Sequence, residues 1–164
     1  MRYFLSITLT LFLCGAQAHT HAQTSALPKV FLIGEYEDRY LELSLQHPSL
    51  FMSVYQNDID RAYNGWASCL MDMEDYAATL DFDLKGIKLW LNLYFNPDGT
   101  IAHLSWFPKP NSRNVPDEHL TAFFKNFVNQ YRLPVTAEKG FQHSTSASFP
   151  TFFQRQGLDL AKKN

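Results

Sequence analysis

His143 is followed in alternation by Ser144, Ser146 and Ser148, a grouping that invites comparison with a hydrolase. A serine nucleophile needs a base within hydrogen-bond reach and a third group to orient that base. Adjacent residues on an extended strand point to opposite faces, so His143 is badly placed to serve Ser144. No Gly-x-Ser-x-Gly elbow is present either. The run reads instead as the small polar face of a strand. Asp72, Glu74, Asp75, Asp81 and Asp83 gather in a short stretch. Paired carboxylates can work as general acid and base, or hold a hard cation. The glycine and the twelfth-position acid of a calcium loop are missing, which leaves a solvated acidic surface. Cys69 sits among apolar residues with no polarising neighbour in sequence, so it reads as a core thiol.

Other residues suggest recognition rather than catalysis. Tyr63, Trp90, Tyr94 and Trp106 could line a surface for a carbohydrate. The stretch Pro108-Lys109-Pro110-Asn111-Ser112-Arg113-Asn114 is a polar loop whose Lys109 and Arg113 are candidate partner contacts. A chain cut after Ala18 would begin His19-Thr20-His21. Its free amine, two backbone amides and the His21 imidazole could wrap Cu(II) in a square plane, which makes His19 and His21 candidate metal ligands. No cofactor is expected.

The N-terminus carries a targeting pattern. Arg2 precedes an apolar stretch centred on Leu5, Ile7, Leu9, Leu11, Phe12 and Leu13, and Ala16-Gln17-Ala18 fits the small-x-small cleavage rule. The expectation is a signal peptide over 1–18 and an exported protein, periplasmic or extracellular. The stretch is too short to span a bilayer. Removing it leaves Cys69 as the one cysteine, so no internal disulfide is expected. Across the whole chain, 16 acids face 14 bases, for a net charge of −2. That balance excludes the basic footprint of a nucleic-acid binder. With 46% hydrophobic and 18% charged residues, the composition also excludes intrinsic disorder.

Candidate residues need elements to hold them. Residues 19–28 read as a loose leader, 29–153 as one domain and 154–164 as a frayed tail. Val30 to Ile33 is a short apolar run, Glu35 to Leu45 a short helix, and Leu50 to Tyr55 a strand or extended link. Between 59 and 80, apolar residues recur at three- and four-residue spacing: Ile59, Ala62, Tyr63, Trp66, Cys69, Leu70, Met73, Tyr76, Ala77 and Leu80. That predicts a helix, capped by Asn57 or Asp58, with Gly65 admitting a close neighbour. Ile87 to Phe95 alternates, Asn96-Pro97-Asp98-Gly99 turns, and Thr100 to Phe107 returns as a hairpin. Leu120, Phe123, Phe124, Phe127 and Val128 mark a second helix over 117–131, with Pro116 in its first turn. Phe141 to Phe149 alternates again, as an edge strand. The class is α+β: a small antiparallel sheet with helices packed on one face.

Residues 86–152 resemble the C-terminal domain of TonB-type energy transducers. The likeness rests on the hairpin with its Asp-Gly turn, the Leu120 to Tyr131 helix and the final strand ending Ser148-Phe149-Pro150. It implies an exported binding module whose sheet edge pairs with a strand of another protein. The family's membrane anchor and proline-rich spacer have no counterpart here, so energy transduction does not carry over. The final strand has no charge or proline to protect it. Gln142, Ser144, Ser146 and Ser148 are its candidate partner-facing residues, toward a homodimer or an envelope protein, with no nucleic acid and no membrane span.

Overall fold

The computed structural model describes residues 26–151. The signal peptide, His19 and His21, and the expected 154–164 tail lie outside them. The centre of the fold is the hairpin. β1 (Val30–Leu32) and β2 (Ser49–Leu50) are short; β3 (Lys88–Phe95) and β4 (Ile101–Pro108) are the two arms. Asn96 N–H donates to the Thr100 carbonyl at 2.8 Å across the turn, and the Asp98 carboxylate accepts the Thr100 N–H at 3.0 Å. Gly99 stands at φ +85°, and a Cβ there would lie 2.2 Å from the Leu133 carbonyl oxygen. Glycine meets both demands.

β5 (Phe141–Ser148) pairs antiparallel with β3 along its whole length. β1 runs parallel to β4, and β2 parallel to β5, which gives the order β1-β4-β3-β5-β2. The α+β class holds, but the sheet is mixed rather than purely antiparallel. Of the stretch 50–55, expected as a strand or extended link, only Leu50 lies in a strand. After Leu50 the chain enters a four-residue helix, Phe51–Val54, because Phe51 and Tyr55 turn down into the core.

Among the described residues, four α-helices accompany the sheet: α1 (Tyr40–Gln46), α2 (Phe51–Val54), α3 (Ile59–Thr79) and α4 (Asp117–Gln130). Asp58 caps α3, its carboxylate accepting the Arg61 N–H at 3.0 Å. Pro116 is the N-cap of α4 rather than part of its first turn, where Asp117 and Glu118 sit. Leu89, Leu91, Leu93 and Phe95 of β3 bury completely against Trp66, Leu70 and Met73 of α3 and Phe123, Phe124 and Phe127 of α4, in one core. The long helices thus share one face. The short α1 goes to the other, where Leu43 packs on Phe31 and Tyr94. Ile59, Tyr63 and Leu80, expected on the buried stripe of α3, are exposed: Ile59 and Tyr63 face a cleft beside β5, and Leu80 is the C-cap beyond the helix.

Gly65 of α3 lies under the ring of Tyr55; a Cβ would come 2.1 Å from its oxygen and 2.5 Å from Cζ. Helix propensity alone favours alanine by about 1 kcal/mol. Overpacking at such contacts costs about 1–3 kcal/mol. Gly65→Ala should therefore lower stability in urea unfolding. A stabilised variant would show that Tyr55 moves aside freely.

Candidate functional site

The outer edge of β5 is open over most of its length. Phe149 N–H donates to the Ile87 carbonyl at 2.9 Å. An antiparallel ladder repeats every two residues, so Ala147, Thr145 and His143 turn their main chain toward β3. Ser144, Ser146 and Ser148 turn theirs the other way. On that side β2 covers only Phe141 and Gln142. Beyond Gln142 no strand among the described residues lies along β5. The strand expected at the edge is thus covered at its start and is an edge for the remainder. Gln142 is not free for a partner, because its side-chain amide donates to the His47 carbonyl at 3.0 Å.

A cleft of about 540 Å³ lies beside the open edge, between β5 and the first turns of α3. Leu50, Phe51, Ile59, Tyr63, Trp66 and His143 line it, and no charged residue does. Leu50, Ile59 and Tyr63 are each more than half exposed. The His143 ring stacks on Phe51 at 4.5 Å and meets Trp66 edge-on at 4.8 Å. Its Nε2 has no hydrogen-bond partner. Burial holds the imidazole at a pKa of about 4, so it is neutral at pH 7. Its side chain lies on the face opposite that of Ser144, which removes the histidine–serine pairing. A second hollow, of about 600 Å³, lies by Glu74, Asp75, Asp81 and Asp83. It is more polar, and Glu74 there is already engaged, accepting the Thr151 N–H at 2.7 Å and its hydroxyl at 2.5 Å.

The side chains of Ser144, Ser146 and Ser148 emerge on the second face of the sheet. By register they share it with Lys88, Trp90, Asn92, Ser105 and Phe107. The Lys109 ammonium joins them, 4.2 Å from the centre of the Trp90 ring. Arg113 does not. It pairs with Asp83 at 3.5 Å and donates to the Asp83 carbonyl, so it ties two loops together. Of the four aromatics expected on one surface, Trp106 is in the core and Tyr94 is under α1, while Tyr63 lies in the cleft and Trp90 on the second face. Phe107, half exposed beside Trp90 on that face, is an aromatic that the sequence pattern does not single out. Cys69 is fully buried, and desolvation pushes its thiol up to about 12. No group of three or more His, Cys, Asp or Glu among the described residues is placed to hold a metal ion. No helix among them is long and apolar enough to cross a membrane.

Comparison with known proteins finds no matching family model, no matching curated protein and no matching solved structure.

His143 supplies a pH test of the cleft. Its folded pKa lies below the ordinary histidine value, so the folded state binds fewer protons than the unfolded chain in this window. The stability it contributes is complete above about pH 6.5 and falls as pH drops toward 4. Burial also lowers His47, with the same sign. Urea midpoints should therefore fall between pH 7.5 and 4.5, and fall less in His143→Phe. Equal losses in both proteins would place the titrating group elsewhere.

Proposed function

We propose that the protein is an exported, non-enzymatic binding module that receives an extended segment of a partner protein as an added strand on β5. The observation that carries this reading is the continuity of the open β5 edge with the apolar cleft. In strand addition, main-chain hydrogen bonds hold the peptide and pockets for alternate side chains select it. Here Ser144, Ser146 and Ser148 present the main-chain groups, and Ile59, Tyr63 and Trp66 wall the pocket. β5 contains no charge and no proline, the usual protections of an exposed edge. The resemblance of residues 86–152 to TonB-type C-terminal domains supports the same mode, and the N-terminal targeting pattern supports export. A carrier of a small apolar ligand is the second reading, favoured by a cleft within the volume range of ligand pockets.

Proline at position 146 would delete an outward-facing donor and obstruct a neighbouring strand. Ser146→Pro should stay folded by circular dichroism yet neither sediment as a dimer nor retain the envelope protein that the wild type retains. Association that survives in the folded variant would put the contact elsewhere. Outward-facing amides of Ser144, Ser146 and Ser148 that exchange freely in the associated protein would do the same. A bound apolar molecule released equally by both proteins would favour the carrier reading.

A further inference from the structure

The second face of the sheet holds a separate site. α1 covers that face only around Tyr94 and Phe31. At the other end Trp90 and Phe107 stand directly opposite each other on β3 and β4, 50% and 48% exposed. Directly opposed side chains on antiparallel strands have Cβ atoms about 4.5–5.5 Å apart. The two aromatic side chains are therefore neighbours on this face, and together they make an exposed aromatic shelf. Polar groups surround it by register: Ser146 beside Trp90, Asn92 and Ser144 in the next row, Lys88 and Ser148 in the row on the other side.

The charge of the shelf has one sign. Lys88 belongs to it, and Lys109 reaches over the indole. Lys109 is positioned by its backbone, set between Pro108 and Pro110 with its N–H donating to the Lys88 carbonyl at 2.9 Å. None of the strand residues on this face is an acid. Glu42, on the helix packed against the same face, is engaged with Arg39 at 2.7 Å.

We propose that this shelf binds a carboxylated saccharide. The negative faces of aromatic rings attract the polarised C–H groups of a sugar ring, which Trp90 and Phe107 would receive side by side. Asn92, Ser144 and Ser146 supply short donors and acceptors for sugar hydroxyls. Lys109 and Lys88 supply the countercharge for the carboxylate. An exposed cation–π contact is weak, so Lys109 can leave the indole to meet an incoming anion. A single-stranded nucleic acid also stacks on aromatics, but it needs a basic groove along its backbone. Two ammonium groups on a chain of net charge −2 do not form one.

Trp90 makes the site readable, because Trp66 and Trp106 are buried. The full chain is titrated with trigalacturonate, a hyaluronan tetrasaccharide, maltotriose and oligothymidylate while tryptophan emission is followed. At least one of the two carboxylated probes should give a saturable change, with maltotriose about tenfold weaker or more. Lys109→Gln should weaken that probe about tenfold and reduce its salt dependence. Calorimetry should show the binding lost in Trp90→Ala and weakened in Phe107→Ala. Should Trp90→Ala fail to fold, Lys109→Gln and the maltotriose comparison decide. Ile59→Ser, in the cleft and 70% exposed, separates this site from the strand edge: the variant weakens association and keeps the saccharide. No saturable change with either carboxylated probe overturns the proposal. So does equal binding by Trp90→Ala or Lys109→Gln, or oligothymidylate binding as tightly as the saccharide.

Discussion

The parity of β3 governs everything that surrounds it. β3 pairs on both sides, with β4 and with β5, so the in–out alternation of its eight residues is imposed on three strands at once. Leu89, Leu91, Leu93 and Phe95 are fully buried, while Trp90 on the opposite face is half exposed. A slip of one residue would exchange the faces and expose four large apolar side chains. Burying one such side chain contributes about 1.5–3 kcal/mol, so no alternative register competes. The same parity decides which main-chain groups of β5 face β3 and which face outward. The core, the aromatic shelf and the open edge follow from one alternation.

That parity is readable from the sequence in β3, but not in β4. The alternation of Leu89, Leu91 and Leu93 with Trp90 and Asn92 sets the two faces without help. A regular hairpin continued from the Phe95↔Ile101 pair would place Trp106 opposite Trp90. The register instead shifts between Tyr94 and Phe95, so Trp90 faces Phe107 and Leu91 faces Trp106. The irregularity sends both Ile101 and Leu104, three residues apart, into the core. An extra residue in one strand reverses the parity of everything beyond it, and it leaves no mark in a hydrophobic pattern. The hydrophobic pattern alone therefore does not assign Trp106 to the core and Phe107 to the surface.

Long-range pairing was the other illegible feature. The two long helices, the hairpin and β5 each repeat a period that one window of sequence can show. β1 and β2 are three and two residues long and find parallel partners far along the chain, so no window contains the reason for them. The open edge itself follows from the brevity of β2. Phe51 leaves the strand for the core, where it packs on Phe95, Phe141 and His143. The burial of that one ring stops the sheet from covering the rest of β5. The helical period correctly put Ile59 and Tyr63 on the same side of α3 as Trp66. It could not show that β2 would end before reaching them.

In the proposed strand addition, the energetics divide the work between edge and cleft. Three outward residues, Ser144, Ser146 and Ser148, offer main-chain bonds to a new strand. Each replaces a bond to water and contributes a net of about 0.5–1.5 kcal/mol. Association itself costs about 4–15 kcal/mol in lost freedom and ordering. Edge hydrogen bonds on this scale fix the direction and register of a partner but supply little surplus affinity. The surplus must come from apolar burial, and Leu50, Ile59 and Tyr63 are the side chains left exposed beside the edge to provide it. With His143 neutral and no charged residue lining the cleft, an ionised side chain entering there would lose its water without gaining a counterion. The segment that fits is therefore one whose cleft-facing positions are apolar. Its other positions pass over the serine face, where the short side chains leave room for large ones.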